Sequence, residues 1–94
     1  MNMKRAVKLV INGTVQGVFF RQFIKDNADK LELKGFARNL ENGDVEVIAE
    51  GNLENIEKFI DLCKQGPKFA SIKKVGAEEK NYSGEFKEFK ILRM

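Results

Sequence analysis

The apolar positions of this chain change period as it runs, and the changes mark out its elements. From Lys4 to Asn12 they alternate: Val7, Leu9 and Ile11 fall on one face, Ala6, Lys8 and Val10 on the other, which predicts a half-buried strand. Gly13 to Val18 breaks the alternation and reads as a loop. From Phe20 to Leu31 the spacing turns helical. Phe20, Phe23, Ile24, Ala28 and Leu31 share one side, opposite Lys25, Asp26, Asp29 and Lys30, and Gly35 is expected to stop the element.

Two short strands follow, Gly35 to Leu40 and Asp44 to Glu50. Asn42-Gly43 between them fits a tight hairpin turn, because both residues tolerate positive φ. A second helix carries the stripe Leu53, Ile56, Phe59, Ile60 and Cys63. Asn52 stands where it can cap the start, and Gly66-Pro67 ends it. A strand over Ala70 to Ala77, a polar loop from Glu78 to Glu85, and a last strand over Phe86 to Leu92 complete the chain. The order is βαββαβ with an extra strand piece near the end. Helices with one apolar face and alternating strands predict an α+β fold: a ferredoxin-like two-layer sandwich with two helices on one face of an antiparallel sheet. Residues 1–94 are expected to form one domain.

Composition narrows the chemistry. The chain is 43% hydrophobic and 33% charged, a balance that fits a globular domain and not a disordered one. No apolar run approaches the ~20 residues of a membrane span, and no signal-peptide pattern leads the chain. A single cysteine, Cys63, permits no internal disulfide, so a cytoplasmic location is expected. The net charge of +3 leans toward anionic partners without pointing to nucleic acid. Histidine is absent, which removes the commonest general base and the commonest metal ligand together. Any catalysis must proceed without either, and neither metal nor cofactor is expected.

One segment stands out, Gly13-Thr14-Val15-Gln16-Gly17-Val18-Phe19-Phe20-Arg21, joining the first strand to the first helix. Its glycines allow a tight turn, and the turn delivers the chain to a helix N-terminus, where unpaired N–H groups and the positive end of the helix dipole favour phosphate. Arg21 lies in the first helical turn. A cation there is ordinarily unfavourable by ~0.3–1 kcal/mol, a sign that a bound dianion reverses. Spacing alone leaves Arg21 readable as a solvated helix residue. A second segment, Gly35-Phe36-Ala37-Arg38-Asn39-Leu40 with Asn42-Gly43, puts Asn39 near a strand end, where by itself it reads as a turn residue.

Taken together the two segments resemble the acylphosphatase family. Gly13 to Arg21 matches every fixed position of that family's phosphate-loop signature, and Gly35 to Glu46 matches its second signature. Phe19 stands where the family often has a smaller residue. The resemblance implies hydrolysis of acyl phosphates to a carboxylate and inorganic phosphate, with phosphate both product and inhibitor. It implies that the backbone amides of Gln16, Gly17, Val18, Phe19, Phe20 and Arg21 and the Arg21 side chain hold the phosphate. It implies that Asn39 positions the attacking water. A small-molecule substrate, no nucleic-acid or membrane partner and a monomer are the matching expectations.

Other readings exist. Lys34-Gly35-Phe36-Ala37 resembles the start of an RNA-recognition signature, but Arg38 stands where an aromatic is needed, and Val7-Lys8-Leu9-Val10 offers no ring to stack a base. A regulatory domain that kept the same fold is a further alternative. Cys63 reads as core, with no histidine to activate it. Phe19 is expected to line the site.

Overall fold

The computed structural model describes residues 3–15, 18–68 and 70–93. Its elements are β1 (Lys4–Thr14), α1 (Val18–Lys30), β2 (Lys34–Asn39), β3 (Val45–Asn52), α2 (Leu53–Gln65), β4 (Ser71–Lys80) and β5 (Phe89–Leu92). The five strands form one sheet in the order β4-β1-β3-β2-β5. Helix α1 packs over β2 and β5, α2 over β1, β3 and β4, and the two helices touch. This is the expected two-layer, ferredoxin-like α+β arrangement.

The core is the layer between sheet and helices. Leu9, Ile11, Val45, Val47, Ala49 and Ala37 supply the sheet side, and Phe20, Ile24, Ala28, Ile56, Phe59 and Cys63 the helix side, all buried. The alternation read in β1 holds, since Val7, Leu9 and Ile11 are all in this layer. Phe59 meets Phe89 edge to face at 6.3 Å between ring centroids, which ties α2 to the last strand across the core.

The sheet is mixed rather than wholly antiparallel: β5 runs parallel to β2, pairing Gly35 with Phe89 and Arg38 with Leu92. The reason is topological. β4 ends at the edge where Lys80 opposes Ala6, and the chain crosses to the other edge at that same end of the sheet before β5 begins. Glu50 holds the crossing: its carboxylate accepts hydrogen bonds from the Ser83 N–H at 2.9 Å, the Gly84 N–H at 3.0 Å and the Ser83 hydroxyl. The crossing segment begins later, and β5 is shorter, than the hydrophobic pattern indicates. β4 continues through Lys80 because β1 offers pairing partners as far as Ala6.

Gly35 does not stop α1. The helix ends at Lys30 and closes on Glu32, whose φ is 57°. The Leu33 N–H donates to the Ala28 carbonyl at 2.8 Å and the Glu32 N–H to that of Asp29 at 3.0 Å, the two bonds of a Schellman closure. Gly35 sits inside β2 with φ of 146°, and a Cβ there would stand 1.9 Å from the Ile48 carbonyl oxygen. It is the close approach of β3 that demands glycine. Asn52 precedes α2 but makes no side-chain cap. The first N–H of α2, on Leu53, donates instead to the Met3 carbonyl at 2.8 Å, so β1 meets part of the need that a side-chain cap would otherwise serve.

Candidate active site

At the end of the sheet away from that crossing, the C-terminal ends of β1, β2 and β5 lie together, because β1 and β2 are both antiparallel to β3 and β5 is parallel to β2. Strand β1 reaches this end through an irregularity. Its register against β4 shifts between Asn12 and Gly13, and Gly13 has φ of 143°, with the Ser71 carbonyl oxygen 2.0 Å from where a Cβ would be. Only glycine fits that contact. Val15 then anchors the chain in the core, 1% exposed, and α1 begins at Val18.

Gln16 and Gly17, expected to give two of the phosphate-binding amides, lie outside the described residues. Val18, Phe19 and Phe20 form the start of α1, where N–H groups have no acceptor one turn back. The first turn carries no acidic residue, whereas that of α2 carries Glu54. The N-terminal end of α1 therefore keeps its positive potential uncompensated by its own side chains. Phe20 is buried and ties this turn to the core; Phe19 is 89% exposed.

Arg21 and Asn39 converge. They line one cavity of about 220 Å³, together with Leu92 and Arg93. The Arg21 Nε donor and the Asn39 Oδ1 acceptor are both buried and without a hydrogen-bond partner. Leaving such a group unpaired costs roughly 1–3 kcal/mol, and here a donor and an acceptor are held in that condition at one place. The third such atom among the described residues, Asn52 Oδ1, belongs to the far end of the sheet, where Asn52 opposes Lys4. Phe19 is not among the cavity's lining residues, contrary to expectation; its ring leaves the first turn outward.

The position of Asn39 is set by its surroundings. It closes β2 opposite Val45. In the hairpin beyond it, the Leu40 N–H donates to the Asp44 carbonyl at 2.8 Å and the Gly43 N–H to that of Leu40 at 3.1 Å. The Asp44 carboxylate also accepts from the Asn12 amide at 2.8 Å, fastening the hairpin to the end of β1 just before the loop. Arg38, next to Asn39, faces the other way and pairs with the buried Glu46 at 2.7 Å. Strand alternation thus keeps Glu46 out of the site.

Leu92 and Arg93 were not singled out by sequence. The parallel pairing of β5 with β2 brings them there, and no periodicity carries that information. Among the described residues no group of three or more histidine, cysteine, aspartate or glutamate side chains could hold a metal ion, and no helix is long and apolar enough to cross a membrane.

Known proteins bear on this arrangement. The family model described as Acylphosphatase matches residues 7–91. An acylphosphatase of Acaryochloris marina is 45% identical over 87 residues, covering 93% of this chain and 92% of the relative. One of Syntrophus aciditrophicus is 40% identical over 90 residues, covering 96% and 94%. The crystal structure of acylphosphatase from Bacillus subtilis superposes with a TM-score of 0.90 at 31% identity, covering 97% of this chain and all of that one. The match spans the first strand, the loop, both motifs and the last strand, and on it this chain belongs to the acylphosphatase family.

Proposed function

We propose that this protein hydrolyses the carboxyl–phosphate bond of small acyl phosphates, releasing a carboxylate and inorganic phosphate. The observation that carries the reading is the pair of unsatisfied buried atoms, Arg21 Nε and Asn39 Oδ1, at one cavity beside a helix N-terminus. A donor on a cation and a neutral acceptor are the two things such a reaction asks of a protein. The phosphoryl oxygens take hydrogen bonds from the guanidinium fork and from the amides of residues 16–21. The Asn39 carbonyl oxygen accepts from a water and turns its lone pair toward phosphorus, in line with the departing carboxylate.

The chemistry needs little more. A carboxylate leaves with a conjugate-acid pKa of ~4–5, so no protein acid must protonate it. As the water oxygen bonds to phosphorus, the P–O bond to the acyl group breaks and its electron pair leaves on the carboxylate. The water's proton passes to a phosphoryl oxygen, and no histidine base is required. Positioning and charge stabilisation supply the rate, at about 3–4 kcal/mol for a well-placed donor. The reaction as written calls on no cofactor, metal or nucleic-acid partner, and a monomer is the expected state. The lone thiol, buried and unpaired, suits the cytoplasm. Inorganic phosphate, sharing the bound part of the substrate, is the expected inhibitor.

The test is hydrolysis of benzoyl phosphate by the purified protein with and without a chelator. Turnover that survives chelation and is inhibited by inorganic phosphate is expected. Absence of turnover, or dependence on an added metal, would overturn the proposal.

A further inference from the structure

The cavity that holds Arg21 and Asn39 has a second cation on its lining, Arg93, and the phosphate chemistry above makes no use of it. We propose that Arg93 is a specificity-determining residue that favours acyl phosphates carrying another negative charge on the acyl group. The proposal rests on the acyl phosphate reading and refines its substrate class.

Placement comes first. β5 is held parallel to β2 with Leu92 opposite Arg38, so Arg93, the next residue, reaches the sheet end beside Asn39. Two further contacts keep β5 in place: the Phe89 carbonyl accepts from Lys25 of α1 at 3.1 Å, and the Phe89 ring is buried against Phe59. Arg93 therefore follows directly on a strand held in place. Space comes next. The cavity of about 220 Å³ lies just below the ~300–1,000 Å³ of pockets that take drug-sized ligands, the scale of a smaller acyl phosphate.

Charge decides the preference. Among the described residues none of the four that line the cavity is acidic and no carboxylate pairs with Arg21 or Arg93, while several other cations of the fold are paired: Arg38 and Lys8 with Glu46, Lys25 with Asp29, Arg5 with Glu79. Arg21 is half-buried and Arg93 exposed. The less exposed Arg21 is placed for the phosphate and the exposed Arg93 for whatever projects past it, the acyl end. A second anion there meets a cation free to pair with it. At an exposed site this interaction is moderate and is weakened by salt.

The experiment compares two substrates that differ by one charge, benzoyl phosphate and 4-carboxybenzoyl phosphate, in the intact protein and in Arg93→Met, Arg93→Lys and Arg93→Glu. The readout is the ratio of kcat/KM for the carboxylated over the plain substrate within each protein, so any general change in activity cancels. The ratio is expected to exceed one in the unaltered protein by roughly three- to tenfold at low salt. It should shrink toward one in 0.5 M salt and in Arg93→Met, be kept in Arg93→Lys, and fall below the Met value in Arg93→Glu. The same ratio in the unaltered, Met and Glu proteins would overturn the role of Arg93 while leaving the acyl phosphate reading intact. Failure of every protein to hydrolyse benzoyl phosphate would overturn that reading itself.

Discussion

Arg21 and Asn39 are ordinary residues made unusual by where they are held. An arginine four residues into a helix and an asparagine before a hairpin are each common. What distinguishes them is that Nε of one and Oδ1 of the other are buried together without partners. If Arg21 grips the phosphate, Arg21→Ala should lower kcat about a thousandfold or more and weaken inhibition by inorganic phosphate, measured as Ki. Near-normal phosphate affinity in that variant would exclude the role. If Asn39 orders the attacking water and not the phosphate, Asn39→Ala should lower kcat about a hundredfold or more while Ki for phosphate changes little. Equal losses in both quantities would argue for a merely structural asparagine.

Among the elements, two of the motif glycines, Gly13 and Gly35, do different work from the turn-making that composition suggests. Gly13 allows β1 to shift register against β4 immediately before the loop, and Gly35 lets β3 approach β2 within strand pairing. Both have positive φ and neither has room for a Cβ. Gly35→Ala should therefore destabilise by about 2–4 kcal/mol, read as a lowered urea midpoint. An unchanged midpoint would mean that β3 can retreat at no cost. The helices were legible because their apolar stripes repeat at 3.6 residues and their ends carry local signals, with Gly66 at the end of α2 the clearest case. The closure of α1 on Glu32 was not, because a non-glycine with positive φ leaves no local signal, and the burial of Leu33 that accompanies it is a tertiary contact.

For the molecule as a whole, the helix–sheet layer is continuous, and among the described residues its one titratable member is Cys63. Burial pushes this thiol up from 9.0 to about 12. Between those values the unfolded chain gives up the proton and the folded chain keeps it, so stability falls as pH rises through that window. Relative to Cys63→Val, the unaltered protein should lose stability steadily above about pH 9, followed by urea midpoints from pH 7 to 11. The comparison cancels lysine and tyrosine titration common to both proteins. A difference that stays flat across that range would show the thiol to be reached by water.

The sequence by itself determined the order of helices and strands and which of their faces are buried, since these are local: periods of 2 and 3.6 and turn residues. The two segments proposed to carry the chemistry stood out only through their resemblance to a family. Only the tertiary structure decided that β5 lies parallel to β2, and hence that Leu92 and Arg93 stand beside Asn39. Strand pairing between distant segments depends on which edge remains free after the rest has folded and on how the connecting chain is held, here by Glu50. That information is shared among contacts far apart along the chain and is written in no single stretch of it.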